Sequence, residues 1–239
     1  MSILSEWAHD LEALFFPPRC PVCQRELNSG SRMVCTRCLA EAPLTHFWLA
    51  PDNPLTRSFW GLLPVEQASA LLYFSAHSGW RRLIHDFKYH HQWRLALEMG
   101  RWYGAELAES DLYHSIDRVI PIPLHWRKRL LRGYNQSEYL AQGIAEKLGV
   151  ECDLRSVRRH RNNPSQAQRS REERWQNVEG IFSVRHPERL AGKHLLLVDD
   201  VLTTRATLIS CGEAILKAVP DCRLSVAVLA ASKHNIQHP

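Results

Sequence analysis

The stretch Leu195 to Thr207, LLLVDDVLTTRAT, constrains this chain most. Leu195 to Val198 is a short apolar run bounded by charge. That pattern suits a strand buried on both faces, as in a parallel sheet. Asp199 and Asp200 follow at the strand's carboxyl end, then the hydroxyls of Thr203, Thr204 and Thr207, and a helical pattern from about Leu208 to Ala218. In open α/β sheets, ligands bind at the carboxyl ends of strands, beside the next helix N-terminus. A turn entering a helix offers unpaired N–H groups and a positive dipole end, both suited to phosphate. Paired carboxylates just upstream accept hydrogen bonds from sugar hydroxyls or help hold Mg²⁺ indirectly. The stretch is therefore suited to a phosphorylated sugar. The plainer reading is a buried strand with an acidic end.

The rest of the chain supplies one α/β domain and a small appendage, which is what 239 residues accommodate. With 45% hydrophobic and 23% charged residues the chain reads as soluble and globular. A net charge of +5 suits nucleic acid or phosphate ligands without specifying either. No apolar run is long enough for a membrane span. Glu6, Asp10 and Glu12, with no basic leader, argue against a signal peptide. A cytoplasmic location is expected, and seven cysteines then point to metal or free thiols rather than disulfides.

Residues 1–17 place Leu4, Trp7, Leu11, Leu14 and Phe15 on one face of an amphipathic helix ended by Pro17-Pro18. Packing on its own protein fits its acidic polar face better than a membrane surface does. Residues 18–45 form a module with Cys20-Pro-Val-Cys23 and Cys35-Thr-Arg-Cys38, joined across a hairpin turn at Asn28-Ser29-Gly30. Two CxxC turns complete a tetrahedral Cys₄ site with no open position, so a structural Zn²⁺ is expected. The metal would supply the folding energy of so short a module. A redox role is the weaker alternative, since neither CxxC sits in a βαβ context. Cys152, Cys211 and Cys222 show no ligand spacing.

Residues 46–66, in a Pro- and Trp-rich stretch with little periodicity, read as a linker. A domain over 67–233 begins with a strand at Ser69–Phe74 and a helical pattern from Trp80 to Tyr103, and a frayed tail occupies 234–239. Asp117 to Leu124 alternates as a strand, and a helix with Tyr139, Leu140, Ile144 and Leu148 on its apolar face starts near Ser137. Between them lie Arg127, Lys128, Arg129 and Arg132. This basic stretch is open to three readings: a lid over a phosphate ligand, a patch tracking nucleic-acid phosphates, or a solvated loop.

Strand, Asp199-Asp200, then Thr203-Thr204-x-x-Thr207 resembles the phosphoribosyl pyrophosphate (PRPP) signature of type I phosphoribosyltransferases. The usual pattern has Gly or another small residue where Arg205 stands. Gly permits close approach and unusual dihedrals, whereas Arg205 either adds a cation to the phosphate site or occupies it. Phe87-Lys88-Tyr89, Arg132-Gly133-Tyr134-Asn135-Gln136, and Glu173, Arg174, Asn177, Val178, Gly180 and Phe182 in the spacing ERxxNVxGxF resemble, in order, segments of the ComF family of competence proteins, its ComFC or GntX type. With the Cys₄ module, the resemblance spans nearly the whole chain.

It implies a type I phosphoribosyltransferase fold, a parallel sheet flanked by helices with a flexible lid, plus the zinc module. It implies a PRPP site at Asp199, Asp200, Val201, Thr203, Thr204, Arg205, Ala206 and Thr207, with Mg²⁺. The lid over pyrophosphate would comprise Arg127, Lys128, Arg129, Arg132, Gly133, Tyr134, Asn135 and Gln136. Asp199, Asp200, Arg129 and Lys88 would be the catalytic candidates, although a solvated lysine is as natural a reading of Lys88. The resemblance further implies DNA uptake and transformation at the inner membrane's cytoplasmic face. Partners would be single-stranded DNA, or a competence helicase or other uptake protein. Two function classes result: a pentosyl-transferring enzyme, or a non-catalytic factor binding single-stranded DNA or a helicase through the zinc module and basic loop.

Overall fold

The computed structural model describes residues 18–27, 33–75, 78–89, 92–160, 180–202, 204–233 and 236, with the side chains of residues 88 and 89 excepted. The apolar run His194–Leu202 (β6) forms the middle strand of a five-stranded sheet. Its neighbours are β7 (Arg223–Ser232) and β2 (Arg118–Pro121), with β1 (Ala68–Phe74) beyond β7 and β3 (Glu151–Cys152) beyond β2. The order is β1-β7-β6-β2-β3 and every pairing is parallel. The parallel α/β sheet expected from sequence is thus present. Leu195 to Val198 are each fully buried because both faces are covered, worth roughly 2 kcal/mol for each side chain removed from water.

The two faces follow the alternation of the strand. Leu196 and Val198 point into a core shared with α4 (Trp93–Ala108) and α6 (Gln136–Leu148), through Met99, Tyr103, Leu140 and Ile144. Leu195 and Leu197 point the other way, toward Leu208, Cys211 and Ile215 of α7 (Ala206–Ala218). The α4–α6 crossing is close because glycines line it. A Cβ on Gly100 would stand 2.2 Å from the Leu140 carbonyl oxygen, and one on Gly143 2.3 Å from that of Leu97.

Three expectations change. Trp80 to Tyr103 carries two helices, α3 (Gly79–Tyr89) and α4, the second capped at Gln92. Residues 46–66, expected as a linker, follow the short helix α1 (Thr36–Ala40) and carry a 3₁₀ turn at Phe47–Leu49 and the short helix α2 (Pro54–Arg57). Trp48, Leu55, Phe59 and Leu63 there are buried. The aromatic and leucine content that disguised periodicity is core material on both faces of the sheet. Asn53 locks the segment down: its Oδ1 accepts from the N–H groups of Leu55 and Thr56 at 2.9 and 3.0 Å, and its Nδ2 donates to the Ala68 carbonyl at 3.0 Å. Ile236, expected in a frayed tail, is also buried. The expected helix over 1–17, the turn at Asn28–Gly30 and the segment from Gln166 through Asn177 and Val178 lie outside the described residues.

Candidate functional site

β2 and β6 lie side by side, but the chain leaves them in opposite directions. From β2 it crosses through α5 (Trp126–Arg132) and α6 to β3, and from β6 through α7 to β7 on the other side. Connections that diverge from adjacent strands open a crevice at the strands' carboxyl ends. Pairing of β6 with β2 ends at Pro121–Val198, closed by the Ile122 N–H donating to the Val198 carbonyl at 2.8 Å, while pairing with β7 continues to Leu202–Ala231. Asp199 and Asp200 are the first residues past the end of β2. They sit half-buried at this edge.

The β2 side of the crevice is built by the RGYNQ stretch. Gly133 ends α5 in the left-handed conformation, φ 79°, which a side chain rarely adopts. Tyr134 donates its hydroxyl to the Phe87 carbonyl. Asn135 donates to the Ile122 carbonyl at 3.1 Å and caps α6 by accepting from the Ser137 N–H at 3.3 Å. Ser137 Oγ then donates to Asp199 Oδ1 at 3.0 Å, and the Asp200 N–H donates to the same oxygen at 2.9 Å. Asn135, Gln136 and Ser137 are all buried. Of the residues expected in a lid, Asn135 ties α6 to the end of β2, Tyr134 ties it to α3, and Gln136 accepts from Arg132 of α5. Of the cations, Arg129 pairs with Glu138 at 3.3 Å and Arg132 donates to Gln136 Oε1 at 3.2 Å. They ride on a helix rather than a loop. Arg127 is exposed and covers the Trp126 ring at 5.3 Å, and Lys128 is half-buried. None of the seven residues of α5 is buried.

A two-stranded antiparallel hairpin, β4 (Val157–Arg159) with β5 (Phe182–Val184), flanks the site. Its register sets Arg159 opposite Phe182, whose ring the guanidinium covers at 5.3 Å. Burial pulls the Arg159 pKa down, and the facing Asp199 carboxylate opposes that shift. Buried His125 links hairpin and helix. Its Nδ1 accepts from the Arg127 N–H at 3.3 Å as the α5 cap, and the ring also bonds the backbone of His160. Burial pushes its pKa down and the cations Arg159, Arg127 and Lys128 push the same way, so the ring is neutral at pH 7.

After β6 the chain enters α7 through the expected phosphate loop. Val201 is buried, Thr204 and Ala206 are exposed and Thr207 is half-buried in the first turn of α7; Thr203 lies outside the described residues. Arg205 occupies the cap position with φ −71° and ψ −14°. This is ordinary right-handed helical geometry, so glycine's freedom is not needed there. Burial pulls the Arg205 pKa down. The Lys88 side chain lies outside the described residues.

The four module thiols converge. The Sγ atoms of Cys20, Cys23, Cys35 and Cys38 all lie within 4.8 Å of one another, and Cys23 and Cys35 are 3.6 Å apart. Four Zn–S bonds of about 2.3 Å place thiolates about 3.8 Å apart on a tetrahedron, so these residues fit one zinc ion. Burial pushes the Cys20 thiol up, but hydrogen bonds from the backbone of Cys35, Cys23 and Val22 outweigh it and hold the pKa at about 7. Cys20, Val34 and Cys38 join the same core as α4 and α6, so the module is packed on the sheet domain.

Sequence reasoning missed Ser137 and Arg159. Ser137 had a signal, since it directly follows the RGYNQ segment. Arg159 had none, because only the hairpin register sets it over Phe182.

Among the described residues no helix is long and apolar enough to cross a membrane. Residues 135–239 match the phosphoribosyl transferase domain family. The DNA utilization protein YhgH of Salmonella typhimurium is 29% identical over 138 residues, which cover 56% of this chain and 60% of that protein's length. YhgH of Escherichia coli K12 is 27% identical over 222 residues, covering 85% of this chain and 93% of its own. Competence protein F of Haemophilus influenzae is 28% identical over 130 residues, covering 53% of this chain and 57% of its own. An acidic pair at the switch point of an all-parallel sheet, the domain match and relatives of these two kinds support a ComF family phosphoribosyltransferase-like protein.

Proposed function

We propose that the crevice between β2 and β6 binds Mg²⁺-PRPP, and that residues 67–233 act as a phosphoribosyltransferase-like unit. The observation that carries this is the placement of Asp199 and Asp200 past the last β2 pairing, near the carboxyl end of the strand that leads into α7. The two acids accept from the ribose hydroxyls. Val201 to Thr207 wraps the 5′-phosphate, with free N–H groups of the first α7 turn as donors. Arg205 adds a cation at the 5′-phosphate, and Arg129 supplies positive charge where pyrophosphate leaves, with Lys88 as a further candidate. Mg²⁺, when bound, neutralises the pyrophosphate oxygens. The acceptor nucleophile attacks C1 as the C1–O bond to pyrophosphate breaks. The relatives' names support a role in DNA utilization and competence; in this reading the protein works with the cytoplasmic machinery that handles incoming DNA at the inner membrane.

The test is calorimetric titration of PRPP with Mg²⁺ into the wild type, Asp200→Ala and Arg205→Gly. Saturable wild-type binding that disappears in Asp200→Ala is the expected result. Binding gained only by Arg205→Gly means that Arg205 fills the phosphate site, and no binding by any variant overturns the reading.

One observation favours a second reading, in which the protein is a non-catalytic partner of single-stranded DNA or a helicase. The basic helix α5 exposes Trp126, Leu130 and Leu131, the leucines at 75% and 86%, beside its cations. A stacking ring among cations suits single strands. Oligonucleotide binding that weakens steeply with salt, and is lost in Arg127→Ala/Arg129→Ala, would support it.

A further inference from the structure

Two neutral donors hold one oxygen of the Asp199 carboxylate. Ser137 Oγ and the Asp200 N–H reach the same carboxylate oxygen, Oδ1, at 3.0 and 2.9 Å. The backbone donor comes from the adjacent residue and follows wherever the strand goes. Ser137 is different. It stands in the first turn of α6 on another element, is 3% exposed, and cannot move independently. Asn135 caps that turn and is itself tied to the end of β2 through the Ile122 carbonyl. A chain of hydrogen bonds thus runs from β2 through Asn135 and Ser137 to the acid on β6. Two donors on one oxygen fix the rotation of the carboxylate about its Cβ–Cγ bond. An acid with a fixed plane accepts well from a hydroxyl in one direction only, because hydrogen bonds weaken steeply off axis. A site built to bond a hydroxyl rejects the analogue that lacks it.

We propose that Ser137 is a positioning residue that orients the Asp199 carboxylate and thereby makes this crevice select ribose phosphates over 2-deoxyribose phosphates. This rests on the ribosyl reading above and adds to it the residue that fixes the acceptor direction of the acid. The chemistry is that of a buried hydroxyl donating to an anion that in turn accepts from the ligand's hydroxyl. Such chains strengthen each other in a low-dielectric site. Without Ser137 the carboxylate turns toward water, and the acceptor direction for the sugar hydroxyl is lost.

The experiment titrates ribose 5-phosphate and 2-deoxyribose 5-phosphate, each with Mg²⁺, into the wild type, Ser137→Ala and Ser137→Thr. The wild type is expected to prefer the ribose sugar. In Ser137→Ala its affinity for ribose 5-phosphate falls about tenfold, the size expected for a hydrogen bond to a charged group, while affinity for the deoxy sugar changes less than about twofold. Ser137→Thr, which keeps the hydroxyl, restores the preference. Equal weakening for both sugars means that Ser137 merely stabilises the fold, and overturns the proposal. A wild type without preference also overturns it. A second measurement needs no ligand: crystal structures of wild type and Ser137→Ala. The carboxylate plane of Asp199 is expected to rotate, and an unmoved Asp199 overturns the proposal even where PRPP binds. A wild type that binds neither sugar nor PRPP, with Asp199 rotated in the variant, overturns the ribosyl reading and the selectivity with it, and leaves the orienting role of Ser137 upheld.

Discussion

Replacing Asp153 by Asn removes one charge from a fully buried side chain while keeping its shape. Asp153 Oδ1 accepts from the N–H groups of Arg155 and Ser156 at 2.9 and 3.0 Å. Its Oδ2 accepts from Ser156 Oγ at 2.6 Å, Arg189 Nε at 3.1 Å and Arg118 at 3.3 Å. Arg118 begins β2 and is itself nearly buried, so the acid neutralises a cation at the root of the strand that frames the crevice. Burial pushes the Asp153 pKa up, but Ser156, the two backbone donors and Arg189 outweigh it and hold the group at about 2, against 3.8 for the ordinary side chain. A depression of that size, at about 1.4 kcal/mol per unit, is worth roughly 2.5 kcal/mol to the folded state at pH 7. Because the folded pKa lies below the unfolded one, the contribution is complete above pH 4 to 5 and is lost as pH falls toward 2. By pH 3 about half of it remains. In urea denaturation the gap between wild type and Asp153→Asn should therefore be at least roughly 2.5 kcal/mol at pH 7 and shrink by about 1 kcal/mol at pH 3, the remainder including the pH-independent cost of setting the Asn amide donor against the donors that Asp153 accepts from. At pH 7 the melting temperature should fall by about 5–10 °C. Carboxylates that share no partner with Asp153 titrate alike in both proteins, so the pH dependence of the difference reports Asp153 together with Glu151, which pairs with the same two arginines. A gap that stays constant between pH 7 and pH 3, or is absent at pH 7, refutes the reasoning.

Two other perturbations test the framework of the site. Metal analysis of purified protein should give about one zinc per chain, falling in Cys20→Ser and Cys38→Ser, and a chelator should lower the melting temperature of the wild type alone; a Cys–Cys disulfide and no metal would contradict the Cys₄ centre. Gly143→Ala puts a methyl group 2.3 Å from the Leu97 carbonyl oxygen and 2.6 Å from the Arg101 nitrogen, so α4 and α6 must part. This should cost about 1–3 kcal/mol and weaken sugar-phosphate binding, because α6 carries Ser137; unchanged thermal melting would show that the crossing yields freely.

Much of this protein was legible in its sequence because the signals are local. Leu195 to Val198 reads as a doubly buried strand, since only a sheet covered on both faces can hide four consecutive apolar side chains. The CxxC pairs read as one metal site, since each tight turn by itself brings two thiols together. What only the tertiary structure decided is what depends on which strands are neighbours. β2 and β6 are adjacent although more than seventy residues separate them, and that adjacency places Ser137 against Asp199 and makes the end of β6 a crevice. Arg159 faces the acid because β4 pairs with β5. The stretch from Phe47 to Leu63, read as a linker for want of periodicity, is core because it is buried irregularly, by side chains facing two layers at once. Even Arg205, where sequence anticipated glycine, sits in helical backbone whose dihedrals any residue adopts. Periodicity and spacing report a segment's own geometry; they carry no term for a partner that topology brings from far along the chain.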